Sequence, residues 1–321
     1  FKRALVVHVD LALVVWFYAF LGCLFSLLPT RRSIRWLGTL GFAVSAVGVV
    51  LLIVAVGITG VQPVLSNYVP VLDHPLFFLG LGLFGGGLTL TVFDGRILPS
   101  REAPHGVFEI PDAVRPGLRA GAIAFVIAMI CFFGGVLTTS ADLPVQARFE
   151  LALWGGGHVL QFASTAAMLC VWLVLVKVAT GPGAIGRRGG GLLFGILVLP
   201  LLAAPLLVVN GTDTALYREG FTNLMRWGLF PVVLVFLALC MRTLKGARSW
   251  GHPATVGFLI SAGLAVLGFV LGAMIRGSNT MVPAHYHASI GAVTAAFMTV
   301  TFVLLAPLGL PLRDGVLKRA A

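Results

Sequence analysis

Residues 34–58 read IRWLGTLGFAVSAVGVVLLIVAVGI, a run of apolar and small residues interrupted by one charge, Arg35. A helix of this length crosses a hydrocarbon core of about 30 Å, which takes roughly 20 residues. Comparable runs recur along the whole chain, at 5–28, 74–95, 117–138, 149–178, 189–210, 223–243, 253–275 and 283–308. In lipid every backbone polar group must be satisfied internally, so the expected fold is all-α, a polytopic transmembrane helix bundle of about nine spans. The period-2 segments of a membrane barrel are absent. Over 321 residues, 59% are hydrophobic and 10% charged, with mean hydropathy +1.02. A water-facing surface normally needs about a quarter charged residues.

The breaks carry ordinary punctuation. Pro29 with Arg31, Arg32 and Arg35 follows the first run, and Gly181-Pro182-Gly183 with Arg187 and Arg188 follows the fifth. The connection over 96–116 is the longest; it is polar and proline-containing, and a small amphipathic surface segment is expected there. No internal repeat and no soluble domain is evident, so residues 1–321 read as a single transmembrane domain. The first residue is Phe1 rather than Met, so trimming or processing is expected at this end. The first run has no small-residue cleavage pattern, which argues against a signal peptide.

The net charge of +11 comes without any nucleic-acid-binding motif, and the positive-inside rule accounts for it. Of the 22 basic residues, sixteen fall after odd-numbered spans, among them Arg96, Arg101, Arg115, Arg119, Arg242, Lys245, Arg248, Arg313, Lys318 and Arg319. Six fall on the other side: Lys2, Arg3, Arg148, Arg218, Arg226 and Arg276. The first side is expected to be cytoplasmic, in a bacterial-type inner membrane, with the N-terminus outside and the C-terminus in the cytoplasm. Cys23, Cys131, Cys170 and Cys240 lie in or at the end of apolar runs without a CxxC or CxxCH motif, so covalent heme attachment is not encoded.

Five of seven histidines fall toward the outer side: His8, His74, His158, His285 and His287. His105 and His252 lie in cytoplasmic loops. Imidazole is a common ligand of heme iron and copper, and polar side chains inside a membrane are usually functional. His285 and His287, at i and i+2 on a helix, point about 200° apart. They cannot share one metal, but each can ligate a different heme. His8, at the same depth on another helix, can complete a bis-histidine heme with His287. His74, beside Asp73 and Pro75, is a further candidate ligand.

These residues resemble subunit I of the heme–copper oxidase superfamily, nearest its cbb3-type oxidase and nitric oxide reductase branches. Lys2-Arg3 through His8 resembles the family's second helix, Leu153-Trp154-Gly155-Gly156-Gly157-His158 its sixth, and Val282-Pro283-Ala284-His285-Tyr286-His287 its tenth. The nine runs would then be family helices two to ten. The resemblance implies that His8 and His287 hold a low-spin heme b, that His285 ligates a second heme, and that His158 is a distal metal ligand or sixth heme ligand. Arg276, Arg148, Arg218 and Arg226 are the cations expected near the heme propionates. The chain departs from the family at the seventh helix, where paired histidines are replaced by Leu199-Pro200-Leu201-Leu202-Ala203-Ala204-Pro205. Phe162 stands where the family has a glutamate or tyrosine. One imidazole cannot hold a tight copper or non-heme iron site, so neither metal is expected.

The expected function is a b-type heme electron-transfer subunit of a larger membrane redox complex, exchanging electrons with a cytochrome c, an iron–sulfur protein or a quinone. A terminal O2 or NO reductase with a modified metal site is the alternative within the same scaffold. A non-redox transporter or scaffold is the alternative from another class; the sequence shows no broken helices bearing charged midplane sites to favour it. His158 as sixth ligand, giving a closed two-heme relay, is preferred over an open heme. Gly155, Gly156 and Gly157 are expected to remove bulk near the macrocycle.

Overall fold

A computed structural model describes residues 1–30, 34–99, 109–245, 250–276 and 280–310. The chain is all-α and polytopic. Among the described residues nine helices are long and apolar enough to cross a membrane. They are α1 (Lys2–Ser26), α2 (Arg35–Ala55), α3 (Pro75–Val92), α4 (Val114–Thr138), α5 (Val145–Thr180), α6 (Arg187–Val209), α7 (Ala215–Leu244), α8 (Pro253–Ala273) and α9 (Met281–Leu305). A two-stranded antiparallel hairpin, β1 (Pro63–Val64) and β2 (Val71–Leu72), lies between α2 and α3 and was not expected from the sequence. Residues 100–108 of the 96–116 connection, Arg101 and His105 among them, fall outside the described residues, as do Arg31, Arg32, Arg248, Arg313, Lys318 and Arg319.

Three spans are irregular. In α1, Leu11–Val15 forms a π turn directly after Asp10, and in α7 a π turn runs over Leu224–Leu229. In α6, Leu199–Ala203 tightens to a 3₁₀ turn around Pro200, whose ring supplies no N–H to the ladder. The interrupted stretch Leu199–Pro205 has no charged residue.

The seventh span also begins eight residues earlier than hydropathy placed it. Thr214 caps it, its hydroxyl accepting from the Tyr217 N–H at 3.1 Å. The first turns are amphipathic: Tyr217 and Phe221, four residues apart, are buried, while Arg218, Glu219, Thr222 and Asn223 are exposed. The exposed polar face lowers the hydropathy and hides the helix. Arg218 therefore lies within α7 rather than in the loop before it, and Arg226, already within the expected span, lies in its π turn.

The chain divides into two compact units. The first comprises residues 1–104, 119–163 and 197–228. Its helices α2 and α3 pack backbone to backbone: a Cβ on Gly48 would stand 2.5 Å from the Phe84 nitrogen and 2.6 Å from the Gly80 carbonyl oxygen. Ser45 donates to the Phe84 carbonyl at 3.1 Å across the same seam. Small residues at such spacing let membrane helices approach closely. At the Ser26 end of α1, buried Asp94 pairs with Arg96, whose Nε donates to the Leu28 carbonyl at 3.1 Å. The Asp94 carbonyl accepts the Ile34 N–H at 2.8 Å, and Arg119 Nε donates to the Arg96 carbonyl at 3.1 Å. These contacts tie the ends of α1, α2, α3 and α4 together.

The second unit comprises residues 105–118, 164–196 and 229–321. Its α8 and α9 pack through Ser261, which donates to the Ala292 carbonyl and accepts from the Trp172 indole N–H, both at 2.7 Å.

Candidate functional site

In the first unit, His158 lies thirteen residues into α5 and is buried. Its Nδ1 is 2.8 Å from the carbonyl of Trp154, one turn earlier. A carbonyl only accepts, so Nδ1 carries the proton and Nε2 has the lone pair. That lone pair accepts from the Tyr68 hydroxyl at 3.0 Å. Tyr68 comes from the hairpin loop, which is fastened to the start of α5: Glu150 accepts from the Asn67 backbone N–H at 3.0 Å and from its side-chain amide, and Gln146 donates to the Leu65 carbonyl at 3.0 Å. Trp154 and Phe221 complete the wall, with ring centroids 4.5 and 5.9 Å from the imidazole.

The glycines before His158 admit aromatic side chains. Side chains at these positions would strike Phe221 and Tyr217 (from Gly155), Phe132 (from Gly156) and Tyr68 (from Gly157). The space expected beside a macrocycle is filled here by these rings. The Tyr217 hydroxyl also enters the α5 ladder, donating to the Leu151 carbonyl and accepting the Gly155 N–H, each at 2.8 Å. Side-chain insertion of this kind opens a helix locally.

Two buried polar groups of this unit have no hydrogen-bond partner among the described residues: the Asp10 carboxyl and the Trp154 indole N–H. Asp10 follows His8 by two residues and precedes the π turn; Trp154 is the residue whose carbonyl holds His158. An unpaired buried polar group in hydrocarbon is costly, and π turns are frequent at functional sites. His8 itself is exposed on α1.

In the second unit, His285 is half-buried and His287 exposed, on different sides of α9. His285 Nδ1 bonds the Gly268 carbonyl of α8 at 2.7 Å, and the ring lies on Gly272. His287 Nδ1 bonds the Pro283 carbonyl, one turn earlier, at 2.7 Å. Both imidazoles thus have Nδ1 protonated and the lone pair on Nε2. A backbone acceptor on one ring nitrogen is the usual support of a metal-ligating histidine.

His74 and His252 show the opposite proton arrangement. Each caps a helix before a proline, Nδ1 accepting from Leu76 N at 3.1 Å and from Ala254 N at 3.2 Å. Proline at the first helical position leaves the next N–H for this cap. His74, carried above as a candidate ligand, is placed as a cap.

The four candidate arginines differ. Arg148 lies 3.9 Å from the Asp73 carboxylate and over the Phe149 ring. Arg276 donates to the Ala273 and Ile275 carbonyls at the end of α8, both at 3.1 Å. Arg218 and Arg226 line a surface groove with Glu219, Thr222 and Asn223. No group of three or more His, Cys, Asp or Glu side chains able to hold a metal ion comes together among the described residues. Sequence reading missed Tyr68, Tyr217, Asp10 and Asp94; for Asp10, an acidic residue inside an apolar run was the available signal.

The chain is 29% identical over 323 residues to an uncharacterized protein of Aquifex aeolicus (strain VF5), covering 96% of this chain and 75% of the relative. It is 24% identical over 375 residues to an uncharacterized protein of Rickettsia prowazekii (strain Madrid E), covering 96% and 70%. No family model matches the chain, and no solved structure matches it.

Proposed function

We propose that this integral membrane protein is a b-type heme electron-transfer subunit of a larger redox complex, built on a scaffold like subunit I of the heme–copper oxidases and seated in a bacterial-type inner membrane with its N-terminus outside. The observation that carries the reading is the pair His285 and His287, each with Nδ1 bonded to a backbone carbonyl and Nε2 left as the donor atom. These imidazoles fit axial ligation. His287 is assigned to the low-spin heme, with His8 as the second imidazole that the sequence pairs with it, and His285 to a second heme. Bound heme supplies a one-electron couple; the chain's part is to present imidazoles in the right tautomer. The unpaired Trp154 N–H and Asp10 carboxyl supply polar partners beside two of the candidate ligands. A cytochrome c, an iron–sulfur protein or a quinone serves as the electron partner.

One observation favours the second reading, a site that binds O2 or NO. The His158 lone pair is engaged by Tyr68, and iron could take it only if the phenol turned away. A second heme ligated by His285 would then keep an open position.

A reduced-minus-oxidised optical spectrum of protein purified from heme-supplied cells tests the proposal. A b-type difference spectrum at stoichiometric yield supports it. Protein that is folded and free of heme absorbance overturns it.

A further inference from the structure

Of the four arginines placed above, Arg148 has a carboxylate and Arg276 has the carbonyls of its own helix end. Arg3, on the same predicted side, donates to the Ile58 carbonyl. Arg218 and Arg226 are exposed, and neither side chain pairs with any described residue. They share one groove on α7 with Glu219, Thr222 and Asn223.

The backbone brings them together. Residues 218 and 226 are eight apart, about 12 Å along a regular helix, and their directions would diverge by roughly 80°. The π turn over Leu224–Leu229 has a wider turn and advances less per residue, so it returns Arg226 toward the face of Arg218 and Thr222. Two long, flexible guanidinium side chains then reach the same point. Thr222 uses its hydroxyl hydrogen on the Arg218 carbonyl at 2.9 Å, which leaves the Asn223 amide as the neutral donor of the groove. Trp227, the residue after Arg226 on the same helix, is 71% exposed and supplies an open apolar flank. A ligand here has an anionic oxygen head beside a hydrocarbon body.

We propose that Arg218 and Arg226 bind the phosphate of an anionic phospholipid, with its acyl chains running past Trp227 into the bilayer and hydroxyls of its headgroup within reach of the Glu219 carboxylate. Such a headgroup, a phosphodiester of glycerol, carries one negative charge and free hydroxyls. A zwitterionic choline headgroup has no hydroxyl for Glu219 and no net charge for the two arginines. Heme propionates share the anionic chemistry, but a lipid accounts for the exposed apolar flank as well.

The test is native mass spectrometry of the full chain released from bilayers of phosphatidylglycerol and phosphatidylcholine in equal parts. Wild type should retain phosphatidylglycerol preferentially. An interfacial basic residue contributes about a factor of five, so Arg218→Gln with Arg226→Gln should lower that preference about 25-fold. The doubly substituted Arg218→Lys, Arg226→Lys chain keeps the charge and should keep most of the preference, which separates binding from folding. Equal retention by wild type and the glutamine variant overturns the proposal. So does loss of heme from the glutamine variant with lipid unchanged, which gives the arginines to the propionates.

Discussion

The imidazole of His285 rests on the backbone of α8 at Gly272, where a Cβ would stand 2.9 Å from Nδ1 and 3.0 Å from Cε1. A ring pushed off this glycine is pulled from its 2.7 Å bond to the Gly268 carbonyl. Gly272 thus limits where this candidate ligand can lie, and the Gly268 carbonyl fixes its tautomer.

Gly272→Ala is therefore expected to displace His285 and to destabilise by about 1–3 kcal/mol, the usual cost of overpacking. Gly263→Ala on the same helix is the control: nothing lies within 4 Å of its added methyl. That change should stabilise by up to about 1 kcal/mol through helix propensity. Thermal unfolding in detergent measures both. Heme content of Gly272→Ala should fall with the ring's displacement, and equal unfolding temperatures and heme contents in the two variants would contradict this account.

His287→Ala and His8→Ala should each remove the six-coordinate heme signal and leave the protein inserted. Membrane extraction and low-spin absorbance are the measurements. Unchanged low-spin spectra in both variants would sink the assignment.

Carbon monoxide distinguishes the two fates of His158. The sequence favoured a sixth ligand, whereas the Tyr68 bond to Nε2 favours an open iron. Reduced wild-type protein is accordingly expected to bind CO. Tyr68→Phe frees the lone pair and should slow or abolish that binding, at a stability cost of about 1 kcal/mol for one hydrogen bond. His158→Ala restores binding in the Tyr68→Phe background. Absence of CO binding in wild type, with gain in His158→Ala alone, would establish the closed relay instead.

Arg96→Ala should be among the most damaging substitutions outside the spans. It leaves Asp94, 1% exposed, without its cation, and stranding one partner of a buried pair costs about 3–5 kcal/mol. Burial, and then Arg35, draw the Arg96 guanidinium below its ordinary value. Asp94→Asn combined with Arg96→Gln should recover part of the loss. Equal unfolding temperatures for Arg96→Ala and wild type would show that the pair is solvated.

The spans were legible because lipid demands long apolar runs, and eight of nine starts agree with hydropathy to within about four residues. The start of α7 was hidden because burial of Tyr217 and Phe221 is an amphipathic signal that an averaged window dilutes. His74 and His252 could have been read as caps from the proline that follows each. The tautomers of His158, His285 and His287 could not, since they depend on which carbonyl each ring meets. Tyr68 reaches α5 across 90 residues of sequence, and no local pattern announces a contact at that separation.

The close seam between α2 and α3 bears on how the chain is made. Apolar side chains gain nothing by leaving lipid for one another, so helices in a bilayer associate through packing and hydrogen bonds. The Gly48–Gly80 approach and the Ser45–Phe84 bond are complete within these two helices. Once α3 leaves the translocation channel the pair can close as a finished hairpin, before any later helix is synthesised. It then serves as a fixed wall for the helices still emerging, and a bulky residue at Gly48 would show itself first in the yield of inserted protein.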